Sequence, residues 1–178
     1  MYKINKISSA DYFSSCPSSI LDDISSSTDY SSIFFYEIRF KKDRYVFSNP
    51  MEALDLGYAP FFLEINDILF VAFYDRVYGL SLNTGKIRYA MDLEFALVGV
   101  EKYDNQFYII TDGNITRVLC SSNPEMCYTF HHGRTLNEGG FVVDYKRIND
   151  KILKLIYEDG SIAEYNLYDS TYIYPSSL

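Results

Sequence analysis

The feature that most constrains the fold is a pattern that repeats three times between residues 59 and 174. Each repeat holds four short segments rich in β-branched and aromatic residues, separated by turn-forming Asn, Asp, Gly and Ser. The segments are predicted at 61–65, 68–74, 77–82 and 87–93, at 96–103, 106–111, 115–120 and 126–131, and at 141–148, 151–157, 161–167 and 171–174. The first turns, at residues 66, 104 and 149, are 38 and 45 residues apart. This pattern predicts three four-stranded antiparallel meanders.

The second segment of the first repeat indicates how the meanders are buried. Residues 68–74 read Ile-Leu-Phe-Val-Ala-Phe-Tyr and are apolar on both faces of a strand. A strand of this kind lies at the centre of a sheet packed on both sides. Stacking of sheet on sheet is the simplest way to achieve this burial.

The residues before the repeats carry weaker signals. Residues 33–48 have the composition of a β-hairpin, with a turn at Lys41–Arg44. Residues 1–32 are predicted to be a serine-rich, partly ordered segment with one helical turn, and Pro50–Leu56 a short helix that ends at Gly57. The 178 residues fit a single all-β domain of three meanders with an N-terminal hairpin.

Residues 69–87 resemble the repeat of quinoprotein-type β-propellers. That repeat has a strand, an Asp-Gly turn, a Leu-Tyr-Ala-Leu-like strand and an Asp-x-x-Thr-Gly-Lys turn that leads to a Trp. The matching residues are Asp75, the strand Val77–Leu82 and the turn Thr84-Gly85-Lys86, whereas Arg76 replaces the Gly and the chain has no Trp. The resemblance covers residues 59–174 and implies an incomplete propeller-like ring or a sandwich of stacked meanders.

Charge and hydropathy exclude several classes of partner. The chain has 24 Asp and Glu against 16 Lys and Arg, a net charge of -8, which is the wrong sign for holding a phosphate backbone. The longest apolar stretch, residues 68–74, is too short to span a bilayer, and no secretory signal is visible. Cys16, Cys120 and Cys127 form no Cys-x-x-Cys pair. We therefore expect a cytoplasmic protein with reduced thiols and no membrane or direct nucleic-acid partner.

The search for catalytic groups yields one candidate, a zinc site. Cys127, His131 and His132, with Cys120 as a further ligand, could serve a small metal-dependent hydrolase, although zinc ligands usually come as close pairs from two places in the chain. No nucleotide-binding glycine motif and no Gly-x-Ser-x-Gly elbow is present. The sequence therefore favours a protein that is not an enzyme and needs no cofactor.

A binding surface is predicted at one edge of the meanders. A meander reverses direction at each turn, so the turn between its second and third strands and the connection to the next meander open on the same side. This side would carry acidic residues edged by tyrosines: Tyr74, Asp75, Asp92, Glu94, Asp112, Tyr157, Glu158 and Asp159. Such a surface suits a basic protein partner, because opposite charges speed encounter and Tyr supplies contact area.

Two hypotheses about function follow. The first is an immunity protein that neutralises a bacterial toxin, a basic nuclease, by covering its active site. In its bulk features, small size, acidity and abundant Tyr and Phe, the chain resembles the immunity proteins of contact-dependent inhibition systems. The alternative is a propeller-like scaffold that organises other proteins.

Overall fold

A computed structural model of the protein describes residues 1–15, 20–21, 33–40, 43–50, 60–73, 75–119, 125–130 and 140–173. These ranges contain one helix, α1 Ser9–Phe13, and the strands β1 Lys3–Ile7, β2 Ile33–Arg39, β3 Arg44–Pro50, β4 Phe61–Ile65, β5 Ile68–Phe73, β6 Arg76–Ser81, β7 Ile87–Asp92, β8 Leu97–Tyr103, β9 Gln106–Thr111, β10 Asn114–Leu119, β11 Glu125–Phe130, β12 Val142–Arg147, β13 Ile152–Tyr157, β14 Ile162–Asn166 and β15 Thr171–Ile173. The chain divides into two compact units, Met1–Met91 and Asp92–Leu178.

The three predicted meanders are confirmed. Strands β4 to β7, β8 to β11 and β12 to β15 each form a four-stranded sheet in which consecutive strands are neighbours. The pairings that the structure describes in these sheets are antiparallel. This is the organisation of a propeller blade, and the protein is an all-β protein of blade-like sheets.

Turn residues set the register at the start of the first two meanders. Asn66 and Asp104, each the first residue of a two-residue turn, have φ of 52° and 53°. Asn and Asp tolerate this left-handed conformation better than most residues with a side chain. In the third meander the Asn149 side chain accepts hydrogen bonds from the backbone N–H of Lys151 and Ile152 instead.

The first unit begins with a three-stranded sheet in the order β1-β2-β3. Its hairpin, β2 with β3, is the one predicted over residues 33–48. Strand β1 was not predicted, because its sequence Lys-Ile-Asn-Lys-Ile has little strand character and its partner β2 lies far along the chain.

The prediction of a short helix over residues 50–56 is wrong at its first residue, Pro50. Pro50 ends β3, and residues 51–56 lie outside the described ranges. β3 is an edge strand, where a proline removes no hydrogen bond from the interior of a sheet.

Strand β5 confirms the expected burial on two sides, since all six of its residues are buried. Leu69, Val71 and Phe73 on one face join a core with the first sheet, where Phe73 stacks on Phe47 at a ring-centroid distance of 4.5 Å. The core also includes Leu21, Ile38, Phe40, Tyr45 and Leu80.

Helix α1 covers the opposite face of the first sheet. Tyr12 packs on Phe35 and Val46 in a second core. Beside it, Glu37 is only 3% exposed, and its carboxylate accepts hydrogen bonds from the guanidinium groups of Arg39 and Arg44. The Arg44 guanidinium also donates to the Ser15 side chain just after the helix, so the ion-pair cluster ties α1 to the sheet.

In the second unit the sheets β8–β11 and β12–β15 pack on each other through tyrosines. The Tyr108 hydroxyl donates to the Leu167 carbonyl at 2.5 Å, and the Tyr145 hydroxyl donates to the Val100 carbonyl at 3.2 Å. Burial, with the charge of Glu101 nearby, raises the pKa of Tyr145 to about 12. A Cβ at Gly99 would lie 2.1 Å from the Tyr145 ring, so the ring fits only because residue 99 has no side chain.

We predict that Glu37→Gln lowers the free energy of unfolding at neutral pH by about 1–3 kcal/mol, because charge-assisted bonds to Arg39 and Arg44 are lost from a buried position. Burial raises the pKa of Glu37, but these arginines outweigh it and the pKa is lowered overall. The stabilisation is therefore present above the ordinary glutamate pKa and is lost as pH falls through the lowered one. Urea unfolding followed by tyrosine fluorescence at several pH values would measure both effects.

The matched control for Glu37 is Glu64→Gln, which changes an exposed carboxylate of the same unit and should leave stability nearly unchanged. Equal effects of the two substitutions would contradict the role assigned to Glu37.

We also predict that Gly99→Ala destabilises the second unit by about 1–3 kcal/mol, because the new methyl group overlaps the Tyr145 ring. In a Tyr145→Ala background the same substitution should cost much less, since the ring is gone. A double-mutant cycle of thermal unfolding measures this coupling, and additive effects would show that the close approach is unimportant.

Candidate protein-binding rim

The two Asp-Gly turns of the second unit differ in conformation. Gly160 has φ of 78° and its N–H donates to the Tyr157 carbonyl, so this turn needs the left-handed residue that the Asp-Gly pair predicts. An Asp-Gly pair between two strands is typical of such a turn, but in Asp112-Gly113 neither residue has a positive φ. Glycine is required there for space, because a Cβ at residue 113 would lie 2.4 Å from the Phe95 ring.

Backbone hydrogen bonds bring both turns to one edge of the second unit. The Asp112 N–H donates to the Ala96 carbonyl, and the Val142 N–H donates to the Asp112 carbonyl, each at 2.9 Å. The Glu158 N–H donates to the Phe141 carbonyl, also at 2.9 Å. The turns after β9 and β13 therefore lie beside the segments that lead into β8 and β12.

We call the acidic residues at this edge the rim, defined as Glu94, Asp112, Glu158 and Asp159. Three of the four side chains are exposed, and Asp112 is partly buried. Phe141, 42% exposed, lies directly beside Glu158 and adds an apolar surface to the carboxylates.

Asp112 is held in an unfavourable electrostatic position. Its Oδ1 atom is buried and has no hydrogen-bond partner in the described part of the chain. Burial raises the pKa of Asp112, and the backbone amides around it, including that of Ala96, only partly offset this effect. Asp112 as a whole is only partly buried, so its poorly compensated charge acts on cations at the surface.

The rim as defined leaves out the other four residues predicted for the surface, Tyr74, Asp75, Asp92 and Tyr157. Asp75 is exposed at the turn after β5 in the first unit, where its carboxylate lies 4.0 Å from the Arg76 guanidinium. Asp92 is exposed at the end of β7. Tyr74 lies outside the described residues. Tyr157 is only 3% exposed, so its ring belongs to the interior and the prediction of an exposed tyrosine edge is wrong at this position.

Sequence reasoning missed the two phenylalanines of this edge, Phe95 and Phe141. Both stand in the segments that lead into a new sheet, next to Glu94 and the Gly139-Gly140 pair. An aromatic residue in such a connection was the signal that could have located them, because large apolar side chains in a connection need something to pack against.

The predicted zinc ligands stay untested. Cys120, His131 and His132 lie outside the described residues, and Cys127 is in β11. Among the side chains that the structure describes, no three His, Cys, Asp or Glu are grouped to hold a metal ion. In the same part of the chain, no helix has the length and apolar character needed to cross a membrane.

No protein-family model matches the chain, and no curated protein matches it. Solved structures similar to this chain include the N-terminal domain of Nup159, with a TM-score of 0.47, 11% identity, and coverage of 82% of this chain and 41% of that chain. A second is an S. cerevisiae complex of Dbp5 bound to Nup159, Gle1, IP6 and ADP, with a TM-score of 0.47, 10% identity, and coverage of 82% of this chain and 40% of that chain. A third is a fragment of HIRA, with a TM-score of 0.40, 10% identity, and coverage of 79% of this chain and 45% of that chain.

This chain therefore spans less than half the length of each of these structures. At these scores the likeness carries no argument about function, and the fold assignment rests on the sheets themselves.

We predict that Asp112→Asn raises the free energy of unfolding at neutral pH by about 1 kcal/mol, because it removes a partly buried charge that the surrounding backbone amides only partly stabilise. The pKa of the Asp112 carboxyl group is raised in the folded protein. Its contribution to the free energy of unfolding is therefore fully present below the unfolded-state pKa, and it is lost as pH rises through the folded-state pKa. The gain should therefore disappear in acid, as urea unfolding across this pH range would show.

The control for Asp112 is Asp150→Asn, which changes an exposed aspartate at the β12–β13 turn of the same unit. A loss of stability in Asp112→Asn at neutral pH would mean that the carboxylate has stabilising partners.

Proposed function

We propose that the protein is a non-enzymatic protein-binding module whose blade-like sheets present the rim to a basic partner. The observation that supports this most directly is the Asp112 carboxylate. Its Oδ1 is buried and has no hydrogen-bond partner among the described residues, and other acidic side chains lie at the same edge. Such a group costs folding free energy, and features of this kind are commonly kept for function. A lysine or arginine of a partner held close to the carboxylate would offset its charge and lower this cost.

The surroundings of Asp112 suit a protein ligand. Glu94, Glu158 and Asp159 are exposed carboxylates that attract a basic surface over a Debye length of about 8 Å at physiological salt. Phe141 supplies apolar area at the same edge. Acidic steering with an aromatic contact is a common arrangement in protein–protein interfaces.

This general proposal has two narrower forms. In the first, the module is a scaffold that organises other proteins, a use to which blade-like repeats lend themselves because many turns present contact residues at one edge. In the second, the partner is a toxin nuclease domain in the cytoplasm and the protein is an immunity protein that covers the basic active site. The net charge of -8 favours the second form.

We predict that the rim binds a short oligolysine peptide with an affinity that falls as salt rises. Glu158→Lys should weaken binding several-fold, because reversal turns an attractive contact into a repulsive one. Asp150→Lys, the same charge change at the β12–β13 turn, should weaken it less. NMR titration locates the peptide: shifts confined to residues 94–96, 112–113, 141–142 and 158–160 are expected, and equal weakening by the two variants would overturn the rim as the site.

A separate assay tests the immunity form. A basic nuclease domain encoded beside this chain would be mixed with the wild-type protein and with Glu158→Lys, and its cleavage of DNA or RNA measured. Inhibition by the wild type that the variant loses is the expected result. Binding to the peptide without inhibition of the nuclease would leave the scaffold form as the function.

A further inference from the structure

The last sheet, β12 to β15, has a second face that points away from its tyrosine contacts with β8–β11. Leu153, Leu155 and Tyr165 on the first face are fully buried. Since side chains alternate along a strand, the intervening residues lie on the second face. The strand registers place five isoleucines there: Ile148, Ile152, Ile156, Ile162 and Ile173. We call this surface the outer face.

Three of these isoleucines are strongly exposed, Ile148 at 50%, Ile162 at 40% and Ile173 at 43%. By contrast, the chain uses helix α1 to cover a face of its first sheet, with Tyr12 packed on Phe35 and Val46. Several exposed large apolar side chains on one face of a regular sheet indicate an interaction surface.

The outer face carries two positive and two negative side chains, unlike the acidic rim. Lys146 and Lys154 are balanced by Asp144 and Glu164, so this surface is neutral although the chain as a whole has a net charge of -8. The register sets Lys154 directly across from Glu164. No ion pair joins these four side chains among the residues that the structure describes.

We propose that the outer face binds the same face of a second copy of this chain. A two-fold axis parallel to the strands, in the plane between the two sheets and midway between β13 and β14, would place Lys154 of each copy against Glu164 of the other and Ile156 of each copy against Ile162 of the other. Closed two-fold pairing requires such a self-complementary patch. A strongly basic partner, which suits the rim, would gain no net electrostatic attraction from this neutral surface.

The size of the surface sets the strength of the contact. Four strands about 4.8 Å apart, with roughly five residues each at about 3.3 Å, give a footprint on the order of 300 Å². A standard stable interface buries about 800 Å² on each partner. The dimer is therefore weak and depends on concentration.

Sedimentation velocity of the full chain from about 1 μM to about 1 mM tests this proposal, because that range covers the dissociation constants of small interfaces. We expect a rise from monomer towards dimer. Lys154→Glu alone and Glu164→Lys alone should each stay monomeric, because like charges then face each other across the axis. Lys102→Glu, an exposed lysine on β8, is the matched control and should associate like the wild type.

Mixing the two monomeric variants is the decisive step. One copy then carries two glutamates and the other two lysines at these positions, so both contacts across the axis become attractive and dimers should return. Repair of a contact within one copy cannot explain this result, since neither variant regains its own pair. A wild type that stays monomeric at about 1 mM, or a mixture that does not associate, would overturn the proposal.

Circular dichroism and thermal unfolding of each variant keep the test interpretable. Glu164→Asn and Lys154→Gln, which remove charge without reversing it, should retain the fold and weaken association only partly. Association that none of the variants alters would place the contact elsewhere and also overturn the proposal. Because the rim residues are unchanged, oligolysine binding by these variants tests the proposed function independently.

Discussion

Burial of central strands on both faces is the constraint on which the rest of the structure depends. All six residues of β5 are buried, and Phe107, Tyr108, Ile109 and Ile110 of β9 have no exposed surface. A single antiparallel sheet with one wet face cannot accommodate such strands. Sheets must therefore pack on sheets, and within each unit the successive sheets bury their central strands against each other.

Polar groups specify how these apolar layers meet. Tyrosine hydroxyls reach backbone carbonyls of the neighbouring sheet at Leu167 and Val100, and the Arg147 guanidinium lies 2.8 Å from the Glu101 carboxylate. In the first unit, Tyr45 donates to the Gly85 carbonyl at 2.7 Å in the same manner. Hydrophobic burial is not directional, so contacts of this kind determine the alignment. Tyr45, Tyr108 and Tyr157 thus serve the interior.

The rim and the outer face are two surfaces of the second unit with different physical character. The rim concentrates negative charge around a half-buried aspartate, which suits the proposed basic partner. The outer face has balanced charge around isoleucines, which favours a copy of itself. One small unit could therefore associate with itself and bind a different protein without competition for the same residues, because the two sets share no member.

The sequence alone determined the number, order and approximate bounds of the twelve strands of the meanders, because alternation and turn residues are local properties of the chain. It also located Asp112 and Glu158 at turns. It missed β1, which exists only through pairing with β2, and it misplaced Pro50 and Tyr157, whose positions depend on neighbours distant in sequence. Only the tertiary structure showed that Phe95 and Phe141 join the acidic turns, that Gly113 is required for space, and that isoleucines remain exposed on the last sheet. These features arise where segments distant in sequence come into contact, and a local sequence pattern does not indicate which segments will do so.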